Sequence, residues 1–103
     1  MRISGGLARG ISLKVTKSKL LRPATEANRE RLFSSLRESL RETRVLDLFA
    51  GSGSYGLEAL SRGARHVHFV ESNGKIFRDL KQNFEKVKKS ARLIEKSASF
   101  SNR

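Results

Sequence analysis

Six residues, Gly51-Ser52-Gly53-Ser54-Tyr55-Gly56, constrain the fold more than any others in the chain. Glycines this dense cannot continue a strand, so residues 51–54 read as a turn. The apolar run at 45–49 (VLDLF) precedes it and carries one acid, Asp47. Residues 55–62 follow with Leu57, Ala59 and Leu60 at helical spacing, and Gly63 suits the left-handed position just past a helix end. Residues 66–70 are a second strand-like run, closed by Glu71. A strand entering a helix through glycines, then a parallel strand ending in an acid, is half of a nucleotide-type fold. The expected class is α/β.

Residues 51–56 match G-x-G-x-x-G, and Glu71 lies twenty residues after Gly51. That spacing suits an adenosine-bearing ligand. Glycines admit the ligand to the backbone, the helix start offers free N–H groups, and Glu71 can accept from both ribose hydroxyls. Asp47 discriminates between ligands. A dinucleotide would put its pyrophosphate against this carboxylate and be repelled. S-adenosylmethionine has no phosphate and presents an ammonium that Asp47 can attract. A NAD-binding oxidoreductase remains as an alternative on the hexapeptide alone.

Residues 1–22 contain no acid and carry Arg2, Arg9, Lys14, Lys17, Lys19 and Arg22. Ile11, Leu13 and Val15 alternate with polar residues, which predicts a half-buried strand. Residues 2–4 can pair with it as a basic β-hairpin through Gly5, Gly6 and Gly10. Pro23 ends this segment, and Thr25 suits an N-cap. The helix that follows is expected to bury Leu32, Phe33, Leu36 and Leu40, with Arg29, Glu30, Arg37, Glu38 and Arg41 outside the stripe. Ser72 or Asn73 caps a further helix carrying Ile76, Phe77, Leu80, Phe84 and Val87. Residues 91–95 are the candidate third strand, and residues 96–103 (KSASFSNR) read as an aperiodic polar tail. Two parts are expected: a basic hairpin at 1–22 and an incomplete cofactor-binding domain at 23–103.

Lys+Arg number 22 against ten Asp+Glu, a net charge of +12 over 103 residues. A small domain this basic binds polyanions through phosphate contacts and counterion release. There is no cysteine, which excludes disulfides and thiolate metal sites. No apolar run is long enough for a bilayer, and no leader-like segment opens the chain, so a cytoplasmic protein without a membrane partner is expected. His66 and His68 share one strand face, but no third ligand is evident nearby, so they read as strand packing with no metal. No serine–histidine–acid set has local support.

These residues carry a family resemblance. Residues 45–56 resemble motif I of class I methyltransferases, and FVES at 69–72 resembles their motif II. With RISGG at 2–6, LRPATEANRERLF at 21–33 and VLDLFAGSGSYGLEALSRGA at 45–64, the chain is similar to the RsmD-type family. The resemblance implies the N-terminal part of a Rossmann-like class I methyltransferase fold. It further implies S-adenosylmethionine as cofactor and a guanine N2 amine of small-subunit ribosomal RNA, free or in its assembling particle, as acceptor. It implicates Arg2, Arg22, Thr25 and Arg29, with Ala24 where a threonine is more usual. The expected cofactor set is Asp47, Phe49, Gly51, Ser52, Gly53, Glu71, Ser72, Thr25 and Ser97. The expected RNA set is Arg2, Arg9, Lys14, Lys17, Lys19, Arg22 and Arg29.

Two departures shape these expectations. Ser97 stands where the family carries an acid that holds the adenine amine. The Asn/Asp-Pro-Pro-aromatic motif that orients the accepting amine has no counterpart, so no catalytic residue is assigned. An RNA-binding remnant without turnover is the non-enzymatic alternative. The strand at 45–49 is expected to lack one neighbour. A truncated chain, self-association or a completing partner at that edge is therefore expected.

Overall fold

The computed structural model describes residues 1–15, 26–91 and 96–103. Helix α1 spans Glu26–Leu36 and runs into a 3-10 turn, Arg37–Leu40. Strand β1 is Arg44–Leu48, helix α2 Ser54–Ser61, strand β2 His66–Val70, helix α3 Gly74–Ser90 and strand β3 Ser97–Ser101. The strands form a parallel sheet in the order β1-β2-β3. β2 matches its expected bounds, and Gly63 takes φ 126° just after α2. Asn73 caps α3, its Oδ1 accepting from the N–H groups of Lys75 and Ile76 at 3.0 Å each.

One sheet face makes the core. Val67 and Phe69 are fully buried, with Val45, Ala98 and Phe100 packed beside them. Gly56 is what lets α2 lie this close. A Cβ there would meet Phe69 Cε1 at 2.2 Å and Val67 Cγ1 at 2.9 Å. On α3, Phe77 and Phe84 meet Phe100 edge-on, and Phe100 stacks on Phe69 at 5.4 Å. The other face, in register, carries Leu46 and Leu48, His66 and His68, then Ser97, Ser99 and Ser101, all exposed or half-buried. β1 is a sheet edge among the described residues.

Two expectations are corrected. The third strand is Ser97–Ser101 rather than residues 91–95, of which 92–95 lie outside the described residues. It forms because parallel pairing with β2 and the Phe100 cluster satisfy it, although three of its five residues are serine. On α1, Phe33 and Leu40 are buried as expected, but Leu32 and Leu36 are exposed and Arg29 is 0% exposed. Arg29 sits inside because Glu58 of α2 pairs with its Nε at 3.0 Å.

The N-terminal segment packs into the same core through Ile3, Ala8 and Leu13. Its antiparallel pairing is a single bridge, Arg2 with Ser12, reinforced by Ile3 N–H to Ile11 O at 3.0 Å and Leu13 N–H to Met1 O at 2.7 Å. Glu58 holds the turn between them, accepting from the Ser4 and Gly5 N–H groups at 2.9 Å each. Arg62 Nε donates to the same carboxylate at 2.7 Å, and Arg29 Nη2 donates to the Arg2 carbonyl. The Glu58 carboxylate thus meets two guanidiniums and two backbone donors, which is what a buried charge requires.

Candidate functional site

The C-terminal ends of β1 and β2 are where an open α/β sheet receives ligands. Asp47 lies one residue before the end of β1 and is half-buried. Its Oδ2 accepts from the Gly56 N–H at 3.0 Å. Burial pushes its carboxyl from 3.8 up to about 6; the Gly56 hydrogen bond opposes this and the nearby Glu71 charge adds to it.

The chain then turns sharply. Phe49 has φ 58° and is 92% exposed, so the strand ends one residue earlier than the apolar run suggests. Gly51 and Gly53 take φ 58° and 91°. At Gly53 a Cβ would also lie 2.5 Å from Leu80 Cδ1, so conformation and space both demand glycine.

Glu71 is buried at the end of β2 and braces this loop. Its Oε1 accepts from the Gly51 N–H at 2.8 Å, and Oε2 accepts from the Asn73 N–H at 2.9 Å. Each carboxylate oxygen keeps a further lone pair for a ligand hydroxyl. Ser52 is buried, and its carbonyl accepts from Asn83 Nδ2 at 2.9 Å. Ser72 is exposed on the rim.

Two site residues escape the sequence reading. Asn83 sits on the buried stripe of α3 and bonds Lys14 N–H and O as well as Ser52 O, which ties the N-terminal strand to the glycine loop. A polar residue on an apolar stripe is the signal that could have found it. Asn102 follows β3, and its Nδ2 donates to Glu71 O at 2.8 Å and Ser72 O at 3.2 Å. Placing the third strand correctly would have brought it to the rim.

Ser97 is corrected as a cofactor residue. It begins β3, opposite His66, so it stands at the other end of the sheet from Glu71, about 13 Å down the strand from Ser101. Its Oγ pairs with His66 Nδ1 at 2.6 Å. Arg29 is corrected as an RNA contact, because its guanidinium is sealed against Glu58. Arg2 and Arg9 are exposed, and Lys14 reaches Asp79 at 3.3 Å while staying mostly in solvent. Lys17, Lys19, Arg22 and Thr25 lie outside the described residues.

His66 and His68 bond along a serine ladder, His66 Nε2 to Ser99 Oγ at 2.9 Å and His68 Nε2 to Ser101 Oγ at 2.9 Å. Burial, then Arg44 and His68, lower the His66 pKa. Among the described residues no group of three His, Cys, Asp or Glu could hold a metal, and no helix is long and apolar enough to cross a membrane.

Two carboxylates, Asp47 and Glu71, flank a loop whose glycines leave backbone open, and they disfavour a pyrophosphate while favouring a cationic ligand.

The family described as Conserved hypothetical protein 95 matches residues 1–102. The ribosomal RNA small subunit methyltransferase D of Haemophilus influenzae is 42% identical over 95 residues, 92% of this chain and 49% of that protein. A solved structure of a hypothetical protein from Thermus thermophilus superposes with TM-score 0.82 at 38% identity, covering 100% of this chain and 55% of that one. The structure of yhhF from Escherichia coli, described as a methyltransferase, gives TM-score 0.80 at 35% identity, covering 99% and 52%. The chain spans about half the length of the relatives it matches. The three-stranded sheet and its helices are part of the Rossmann-like fold of class I methyltransferases.

Proposed function

The chain belongs to the Conserved hypothetical protein 95 family, the RsmD-type group, and on that footing we propose that it is the cofactor-binding half of an rRNA methyltransferase. Its cofactor is S-adenosylmethionine, and its substrate is a guanine N2 amine in small-subunit ribosomal RNA. The observation that carries this reading is the placing of Asp47 and Glu71 on either side of the glycine loop.

When bound, S-adenosylmethionine would supply an electrophilic methyl on its sulfonium, leaving as the thioether, with the acceptor amine's proton passing to water. The residues of this chain bind and orient. Asp47, ionised above about pH 6, attracts the ammonium of the methionine end. Glu71 accepts from the ribose hydroxyls with the lone pairs that Gly51 and Asn73 leave free. Gly51, Ser52 and Gly53 present backbone at close range, Phe49 and Ser72 stand exposed at the rim, and Asn102 would be available there to hold the base of the cofactor. Rate comes from positioning rather than from a covalent intermediate. Arg2, Arg9 and Lys14, on the exposed side of the N-terminal segment, contact RNA phosphates.

Calorimetry with S-adenosylmethionine tests this on the full chain. Wild type binds, and Asp47→Ala and Glu71→Ala each weaken binding at least tenfold. Equal binding by all three, or binding of NAD in preference, rejects the assignment.

A further inference from the structure

Helix α3 is the most one-sidedly charged element in the described structure. Its solvent side carries Lys75, Arg78, Lys81, Lys86, Lys88 and Lys89. Against them stand two acids. Asp79 is buried and paired with Lys14, which leaves Glu85 as the exposed one. Acids elsewhere offset their neighbours. Glu38 faces Arg41, Glu42 faces Arg65 and Lys96, and Glu30 and Glu58 face Arg62.

The helix dipole accounts for Lys88 and Lys89 in the last turn but not for the rest. The first turn holds no acid, and Lys75 and Arg78 sit toward the positive end of the dipole, where cations are disfavoured. Cations kept there against the dipole call for a partner. Several are also held in place. Lys81 Nζ lies 5.5 Å from the Phe77 ring centroid and Lys88 Nζ 5.7 Å from that of Phe84. Lys86 Nζ donates to Ser12 O at 2.8 Å, so the ridge is continuous with the basic N-terminal segment.

We propose that the α3 ridge is a second RNA-binding surface, and that it takes the phosphate backbone of a double-stranded stem. Lys75 and Lys89 are fourteen residues apart, which spans about 21 Å of straight helix. Binders of splayed single strands need exposed aromatic platforms. Here Phe77 is half-buried and Phe84 buried, each with a lysine above it, so the ridge offers charge without a stacking surface. Backbone contact without base stacking is how duplex RNA is gripped. The identity of the polyanion rests on the rRNA reading above; the ridge and its direction do not.

The test is salt-dependent binding of a labelled duplex RNA stem to the full chain. Replacing Lys75→Gln, Arg78→Gln and Lys89→Gln together lowers the slope of log K against log salt by about 3, and shrinks the affinity loss between 50 and 200 mM salt by about fortyfold. Arg41→Gln, Arg44→Gln and Arg65→Gln together change net charge equally at exposed positions outside α3 and leave the slope unchanged. Equal slopes for the two triple variants overturn the proposal. So does equal loss on an unstructured single strand, or binding to phosphatidylserine vesicles in place of the duplex. S-adenosylmethionine calorimetry on the α3 variant stays at the wild-type value, so failure of the cofactor reading is seen separately, as loss of donor binding in the wild type.

Discussion

Asp47 Oδ2 accepts the backbone N–H of Gly56 at 3.0 Å, so the end of β1 holds the first turn of α2 through one carboxylate. The same group is pushed by burial from 3.8 to about 6, with the Glu71 charge adding to the rise. Binding chemistry and stability therefore oppose each other at this position.

Between pH 3.8 and about 6 the native state holds a proton on Asp47 that the unfolded chain has released. The Asp47 contribution to stability consequently falls as pH rises through that window, by about 3 kcal/mol at most. Asp47→Asn keeps an acceptor for the Gly56 N–H and removes the titration. Urea unfolding from pH 4 to pH 7 is expected to show a smaller decline for the variant and a higher midpoint at pH 7, together with weaker S-adenosylmethionine binding. A difference between wild type and variant that stays constant across the window would contradict the raised carboxyl.

The buried pair Arg29–Glu58 yields a second prediction. Glu58→Gln leaves Arg29 and Arg62 facing a neutral amide, with Arg29 sealed from water. Removing one member of a buried pair costs about 3–5 kcal/mol, whereas removing both is far milder. Arg29→Met combined with Glu58→Gln is expected to recover much of the loss in urea melts. Additive losses in the double variant would mean that the two charges do not interact.

Residues 45–71 are legible in the sequence because their order is enforced locally. Glycines break the strand at a fixed place, the apolar run at 66–70 fits one strand, and Gly63 closes α2. β3 is not legible in this way. Ser97–Ser101 offers only Ala98 and Phe100 as apolar alternation, and its strand state is supplied by the β2 ladder and by Phe69, Phe77 and Phe84 around Phe100. Placing the third strand at 91–95 puts Ser97 at the rim and leaves Asn102 out, whereas Ser97 bonds His66 and Asn102 bonds the Glu71 carbonyl. Arg29 fails for a related reason, since helical periodicity cannot see Glu58, twenty-nine residues further on. The site carboxylates are legible from spacing, but the two backbone N–H groups that Glu71 already receives are not.

Glycine substitutions separate space from conformation. Gly6 has φ 78°, and a Cβ there would lie 2.0 Å from the Ser61 carbonyl oxygen. Gly6→Ala is expected to pull the N-terminal turn off α2 and to destabilise by more than about 1 kcal/mol. Gly74 opens α3 with nothing within 4 Å of a Cβ, and Gly74→Ala is expected to stabilise by about 0.4–1 kcal/mol. Thermal unfolding of the two variants should move in opposite directions, and a common sign would show that the turn is not seated as described.

The free edge of β1 makes an amide-by-amide prediction. The Ala50 N–H donates to Val70 O at 2.9 Å, toward β2. Phe49, with φ 58°, interrupts the alternation, and the register is set at the other end, where the His66 N–H donates to Thr43 O: Val45 and Asp47 donate toward β2, and the Leu46 and Leu48 N–H groups point to the open edge. Leu46 and Leu48 are 61% and 56% exposed on the uncovered sheet face, and Phe49 stands beside them. Hydrogen exchange on the dilute protein is expected to alternate, slow at Val45, Asp47 and Ala50 and fast at Leu46 and Leu48. Protection of Leu46 and Leu48 that rises with protein concentration would mean that a second copy pairs with this edge. Uniform protection at every concentration would show that the edge is covered within one chain, and would overturn the strand order in which β1 is outermost.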